Sequence, residues 1–172
     1  MFDPTVFDNL KFLLEGAVYD LDLDGMVEVT SRKDLVNLAD MSRSWSITFA
    51  EAGMQSEAIA VIHLSIHLDQ LEAELLRQSP SAGCSLELRF IQNVQEEKNP
   101  LKETEKFRQL WEEDFQISMR IAYDPLSGIR EYKQTATLRF GRLLTEEHAG
   151  DLTRFVETVL RTIQVINDER GR

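Results

Sequence analysis

The sequence predicts an α+β fold: a single antiparallel β-sheet of about five or six strands, packed by amphipathic helices at the N- and C-terminal ends. Three observations predict it. Short runs through the middle of the chain alternate apolar and polar residues, the period of a strand with one buried face. Both ends carry apolar residues at helical spacing. Between them there is no internal repeat, no low-complexity tract and no linker longer than a few residues, so residues 1–172 read as one domain.

At the N-terminus, Asp3 is placed to cap a helix and Pro4 to open its first turn, with Phe2 stapled against Phe7. Val6, Phe7, Leu10, Leu13, Leu14, Ala17 and Val18 then form one apolar stripe. Met26–Thr30 reads as a short strand. Ser31–Asp40 is ambiguous, and Leu35, Leu38 and Ala39 suggest one or two helical turns. Trp45, Ile47 and Phe49 alternate with Ser44, Ser46 and Thr48, a half-buried strand.

Residues 59–75 satisfy two periods at once. Val61, Leu64, Leu68, Leu71 and Leu75 fit a helical stripe, while Ala60, Ile62, Leu64, Ile66 and Leu68 fall on one face of a strand. The β-branched Ile59, Val61, Ile62 and Ile66 favour a strand to Leu68, and Asp69 with Glu72 then forms a capping box for a helix over Gln70–Gln78. The alternative is one long helix. Ser79–Gly83 is a loop, and Leu86, Leu88 and Phe90 mark another strand.

After a polar break, Asn99-Pro100 supplies a cap and first helical residue for a charged helix over Leu101–Glu113, with Phe107, Leu110 and Trp111 on its buried side. A hairpin follows. Phe115, Ile117, Met119, Ile121 and Tyr123 alternate with polar partners up to the turn Asp124–Gly128. The return strand sets Tyr132, Ala136, Leu138 and Phe140 against Glu131, Lys133, Thr135, Thr137 and Arg139. Thr145 is placed to cap the last helix, whose stripe is Leu152, Phe155, Val156, Val159, Leu160, Ile163 and Ile166. Glu157 and Arg161 are spaced for an ion pair on its wet side, and Asn167–Arg172 reads as a frayed tail.

Hydrophobic residues at 42% and charged residues at 28% are ordinary for a globular protein. The net charge of −11, from 19 Lys and Arg against 30 Asp and Glu, opposes binding to phosphate backbones and anionic lipid. The one local basic cluster is Arg130, Lys133, Arg139 and Arg142, which reads as the solvent face of one strand. A single cysteine, Cys84, excludes an intramolecular disulfide, and Met1–Leu14 carries acids without a basic leader region. No apolar stretch approaches the roughly 18 residues of a membrane span. These features together predict a cytoplasmic protein with no nucleic-acid and no membrane partner.

Candidate chemistry is sparse. Asp20-Leu21-Asp22-Leu23-Asp24-Gly25 matches the opening of a calcium loop, but Ser31 stands where the bidentate glutamate belongs, so an acidic helix-to-strand connection is the preferred reading. His63 and His67, with Asp69 beyond, lack the glutamate of a zinc-protease pattern and read as a solvated strand face. Cys84 reads as a buried structural thiol. Adjacent acids such as Glu96-Glu97, Glu112-Glu113 and Glu146-Glu147 follow from composition. No phosphate loop, dinucleotide fingerprint, nucleophile elbow or Cys-x-x-Cys occurs. The reading is therefore a protein that is not an enzyme, with no catalytic residue, cofactor or metal site assigned.

The apolar stripes exceed what one sheet face needs, which leaves a stripe for a partner. The leading expectation is an acidic protein-interaction, chaperone-like or adaptor module acting as a homodimer. In element order alone the chain resembles the small acidic dimeric chaperones of secretion systems, the helix over Gln70–Gln78 being a departure. The alternative is a carrier or sensor for a small apolar ligand, bound between the sheet and the C-terminal helix, with Trp45, Phe49, Phe90, Phe115, Met119 and Tyr132 as lining residues.

Overall fold

A computed structural model describes residues 6–53, 58–67, 69–70, 83–95, 99–111, 115–129 and 131–169. In chain order its elements are α1 (Val6–Leu23), β1 (Val27–Asn37), β2 (Ser42–Glu51), β3 (Ala58–Ile66), β4 (Ser85–Val94), α2 (Pro100–Leu110), β5 (Phe115–Tyr123), β6 (Tyr132–Phe140), a 3₁₀ turn (Glu146–Asp151) and α3 (Leu152–Asp168). The strands form one six-stranded sheet in the order β1-β2-β3-β4-β6-β5, antiparallel throughout. The α+β fold with a single sheet is as the sequence predicts.

The period-two pattern becomes ladders that cross the sheet. Ile47 faces Ile62, which faces Leu88, then Leu138, then Ile117. One rung on, Phe49, Ala60, Phe90, Ala136 and Met119 alternate large and small, so neighbouring side chains interdigitate. On this face Phe7, Leu10, Leu14 and Val18 of α1 and Val156, Val159 and Ile163 of α3 close the core. Helix α2 joins it through Phe107, whose ring lies 5.5 Å from that of Phe90. Leu13, included in the predicted stripe of α1, is exposed instead.

The other face of the same strands is polar. Ser46, His63, Glu87, Arg139 and Gln116 stand in one cross-strand row, and Glu87 pairs with Arg139 at 2.8 Å and with Arg89 at 3.2 Å. Arg139 therefore lies on a solvated strand face, while Arg142 falls beyond the strand. Arg130 lies outside the described residues.

The segment Ser31–Asp40 differs from its helical suggestion: β1 runs unbroken to Asn37, paired with β2 along its length. A bulge between Val29 and Ser31 reverses which residues face α1. Arg32 and Asp34 turn toward it, where Arg32 pairs with Glu15 and Asp34 with Lys11 at 2.9 Å. The free edge of β2 and these cross-element charges outweigh a weak local helical pattern. Leu35, Val36 and Leu38 consequently stand exposed.

The residues 59–66 form β3 and not a helix. Asp69 and Gln70 are helical, and the rest of the expected Gln70–Gln78 helix lies outside the described residues, as do the Asp3 cap, the Phe2 staple and Glu72. Asn99 caps α2 as predicted, its side chain accepting from Leu101 N–H at 3.0 Å, but the helix ends at Leu110.

Candidate ligand site at the first turn of the last helix

Three elements distant in sequence meet over the end of β6. The C-cap of α2 brings Trp111, the end of β6 brings Phe140, and the first turn of α3 brings Phe155. Their rings form a mutual cluster, with centroids 5.9 Å apart for Trp111–Phe140, 5.4 Å for Trp111–Phe155 and 5.8 Å for Phe140–Phe155. The edge-on and tilted geometries suit the ring quadrupoles.

The connection from β6 to α3 is built to hold this cluster. Cys84 and Leu144 exchange both backbone hydrogen bonds, at 2.9 and 2.7 Å, outside the main strands. The close approach requires Gly83: a Cβ there would meet Leu143 Cβ and Leu144 O at 2.8 Å each. Thr145 then caps a 3₁₀ turn rather than α3 itself, whose first residue is Leu152. Thr145 N–H donates to His148 Nδ1 at 3.0 Å, which leaves Nε2 as the proton-bearing nitrogen of the neutral ring.

Between these parts lies a cavity of about 520 Å³. The aromatic cluster, Leu86, Leu110 and Leu144 make its apolar wall; Arg142, Arg154, Arg161, His148, Asp151 and Glu157 make its polar side. Trp111 is 6% exposed, and its Nε1–H has no hydrogen-bond partner. A buried donor left unpaired is costly, on the order of 1–3 kcal/mol. Glu157 and Arg161, expected to pair, form no ion pair among the described residues.

The cavity can hold a molecule of small-ligand size. Among its described residues there is no nucleophile poised beside a base. His148 Nδ1 is committed to Thr145, and the Thr158 hydroxyl donates to the Arg154 carbonyl at 2.9 Å.

The candidates named from sequence fall elsewhere. Asp20 and Asp22 lie on the last turns of α1. Gly25, at φ 71°, closes that helix in a Schellman motif: Met26 N–H donates to Leu21 O at 2.9 Å and Gly25 N–H to Asp22 O at 3.0 Å. Asp20–Asp24 are thus spread over a helix end and not wrapped around one point, and no group of three potential metal ligands occurs among the described residues. His63 faces Ser46 and Glu87 on the polar side of the sheet. Burial first, and Arg89 second, push its pKa below the ordinary histidine value, against the opposing pull of Glu87. His67 is exposed beyond β3, and Cys84 is fully buried.

The six residues expected to line a carrier pocket do not line this one. Trp45, Phe49 and Phe90 are at most 2% exposed and belong to the packed core. The alternation that identified them reports burial, and here burial means close packing. Trp111, Phe140 and Phe155 read equally as core residues in the sequence, and no local signal joins positions so far apart. The described helices include none long and apolar enough to cross a membrane. Compared with known proteins, the chain matches no family model, no curated protein and no solved structure.

Proposed function

We propose that this protein is a non-catalytic carrier or sensor that binds a small organic molecule between the sheet and helix α3. One observation carries the reading: a cavity of about 520 Å³ lies under the first turn of α3, walled by the aromatic cluster of Trp111, Phe140 and Phe155. Close-packed cores leave no such space. The volume lies within the roughly 300–1,000 Å³ of small-molecule sites. The site lies between sheet and C-terminal helix, although not where the largest strand aromatics stand.

Titration with 8-anilinonaphthalene-1-sulfonate, followed by fluorescence, tests it. One saturable site per chain, lost in Phe155→Ala and retained in a distant surface variant such as Phe12→Ser, supports the reading. Non-saturating fluorescence, or binding unchanged by Phe155→Ala, overturns it.

A second reading, the homodimeric interaction or adaptor module, has its own observation. On the outer strand β1 and the turn after it, Leu35, Val36, Leu38 and Met41 are each at least 50% exposed. Exposed apolar side chains on an edge strand favour a protein partner. Light scattering separates the cases. A dimer that Leu35→Lys with Leu38→Lys converts to monomer supports this reading, and a monomer at all concentrations refutes the homodimer. Either reading fits a cytoplasmic location, which a chain with one buried cysteine suits.

A further inference from the structure

We propose that the outer face of α1 is a docking surface for a basic amphipathic helix of another protein. This surface is separate from the cavity and stands whether or not the cavity holds a ligand.

Helix α1 is apolar on two opposite faces. Phe7, Leu10, Leu14 and Val18 close the core, and the helical period brings Phe12, Tyr19 and Leu23 to the far side. Phe12 is 73% exposed and Leu23 86%, and Met26, just past the helix, continues the exposed apolar run. Positions 12, 16, 19 and 23 alternate steps of four and three, the spacing of a seam between two packed helices. Gly16 holds the second of these positions. A Cβ there would meet nothing within 4 Å, so no contact among the described residues requires a glycine. Glycine weakens a helix interior, and its place in the seam suits the close approach of a second helix.

Charge selects the kind of helix. Asp20, Asp22 and Asp24 lie in and just after the last turn of α1, which carries no base. The aligned peptide dipoles already make a helix C-terminus negative, so acids there are unfavourable within this chain. None of the three has an ion-pair partner among the described residues. The bases beside α1 are engaged: Lys11 with Asp34 at 2.9 Å, Arg43 with Asp8 at 2.9 Å, and Arg32 with Glu15. A cationic helix with one apolar stripe meets both features, because its stripe covers Phe12, Tyr19 and Leu23 while its Lys or Arg side chains face the three aspartates. A second copy of this face would set acid against acid, and an anionic lipid surface is repelled in the same way.

The test is calorimetric titration of the full chain, at physiological ionic strength, with a synthetic amphipathic helical peptide of Leu and Lys about four turns long. We expect one site per chain, and no binding of the matching peptide of Leu and Glu. Phe12→Ser with Leu23→Ser should weaken binding at least about tenfold, as loss of apolar anchors does. Asp20→Asn, Asp22→Asn and Asp24→Asn together should also weaken it at least about tenfold. Glu105→Gln, Glu131→Gln and Glu147→Gln remove the same charge from exposed positions elsewhere and should change it by less than about threefold. The aspartate variant should melt higher than the parent, because the clash with the helix dipole is relieved, so its weaker binding is not misfolding. Equal weakening by the two charge-matched variants reduces the effect to the general field of a chain at −11 and overturns the proposal. Absence of binding, or binding indifferent to Phe12→Ser with Leu23→Ser, overturns it too. Self-association that those two substitutions abolish gives the face to a second copy. Binding at least about tenfold tighter in Arg170→Gln with Arg172→Gln gives it to this chain's own last residues, acting as a tethered competitor. Either result overturns the proposal.

Discussion

At its last turn, helix α3 is held by polar groups that are all satisfied; at its first turn, it roofs a cavity with a donor that is not. At the C-terminal end Asn167, 4% exposed, accepts from Ala58 N–H at 3.2 Å and donates to Glu51 at 2.9 Å. Lys106 of α2 bridges Glu103 at 2.8 Å and also pairs with Glu169, just past the helix. The middle of the helix, at Val159 and Ile163, is completely buried. At the N-terminal end Phe155 is only half-buried and Trp111 Nε1 has no partner. A close-packed, satisfied contact does structural work. An open one under the same helix leaves packing incomplete, and it is there that the proposed ligand would bind.

The contrast can be broken first by size. Ile163→Ala, in the packed middle, should destabilise by about 2–5 kcal/mol in denaturant unfolding, because a rigid core cannot close on the void. Phe155→Ala should cost clearly less than the ~3–5 kcal/mol of a fully buried phenylalanine. If the two cost the same, the first turn is as well packed as the middle.

The polar groups sharpen it next. Asn167→Ala should cost about 1–3 kcal/mol, since it strands the Ala58 N–H in a buried position. Trp111→Phe removes a donor that has no partner to lose, and should change stability by at most about 1 kcal/mol of either sign. Equilibrium unfolding of both variants reads the difference directly.

The smallest effect is electrostatic. Burial lowers the Lys106 pKa, but hydrogen bonds to Glu103 and Glu169 and their charges outweigh it, so the net shift is upward from 10.5. The stability this supplies is complete below 10.5 and is lost as pH rises through the elevated value. Lys106→Met should flatten the alkaline limb of the melting temperature against pH, and leave ligand binding at the far end of α3 unaltered.

Much of this molecule is legible in residue order. The alternation Trp45-Ile47-Phe49 and Leu86-Leu88-Phe90, the Asn99-Pro100 start of α2, the turn after Asp124 and the stripe of α3 all reappear where local chemistry places them. Each needs only neighbours within one or two turns. The strand at 59–66 was distinguishable from a helix because four β-branched residues tip an otherwise balanced pattern.

The misread segments are those where a distant partner decides. Ser31–Asn37 is strand because β2 presents an open edge and because a bulge turns Arg32 and Asp34 toward α1. Thr145 caps, but it caps a 3₁₀ turn set by the Cys84–Leu144 bridge.

What the sequence alone determined is the alphabet of the fold: period-two strands, 3.6-period helices, their caps and the acidic surface, all of which depend on spacing between near neighbours. Tertiary structure alone decided the site. Trp111, Phe140 and Phe155 become a cavity wall because β6 is inserted beside β4, which carries the hairpin back under the first turn of α3. Burial and vacancy look alike in a hydrophobic pattern, since both call for apolar residues, and only packing separates them.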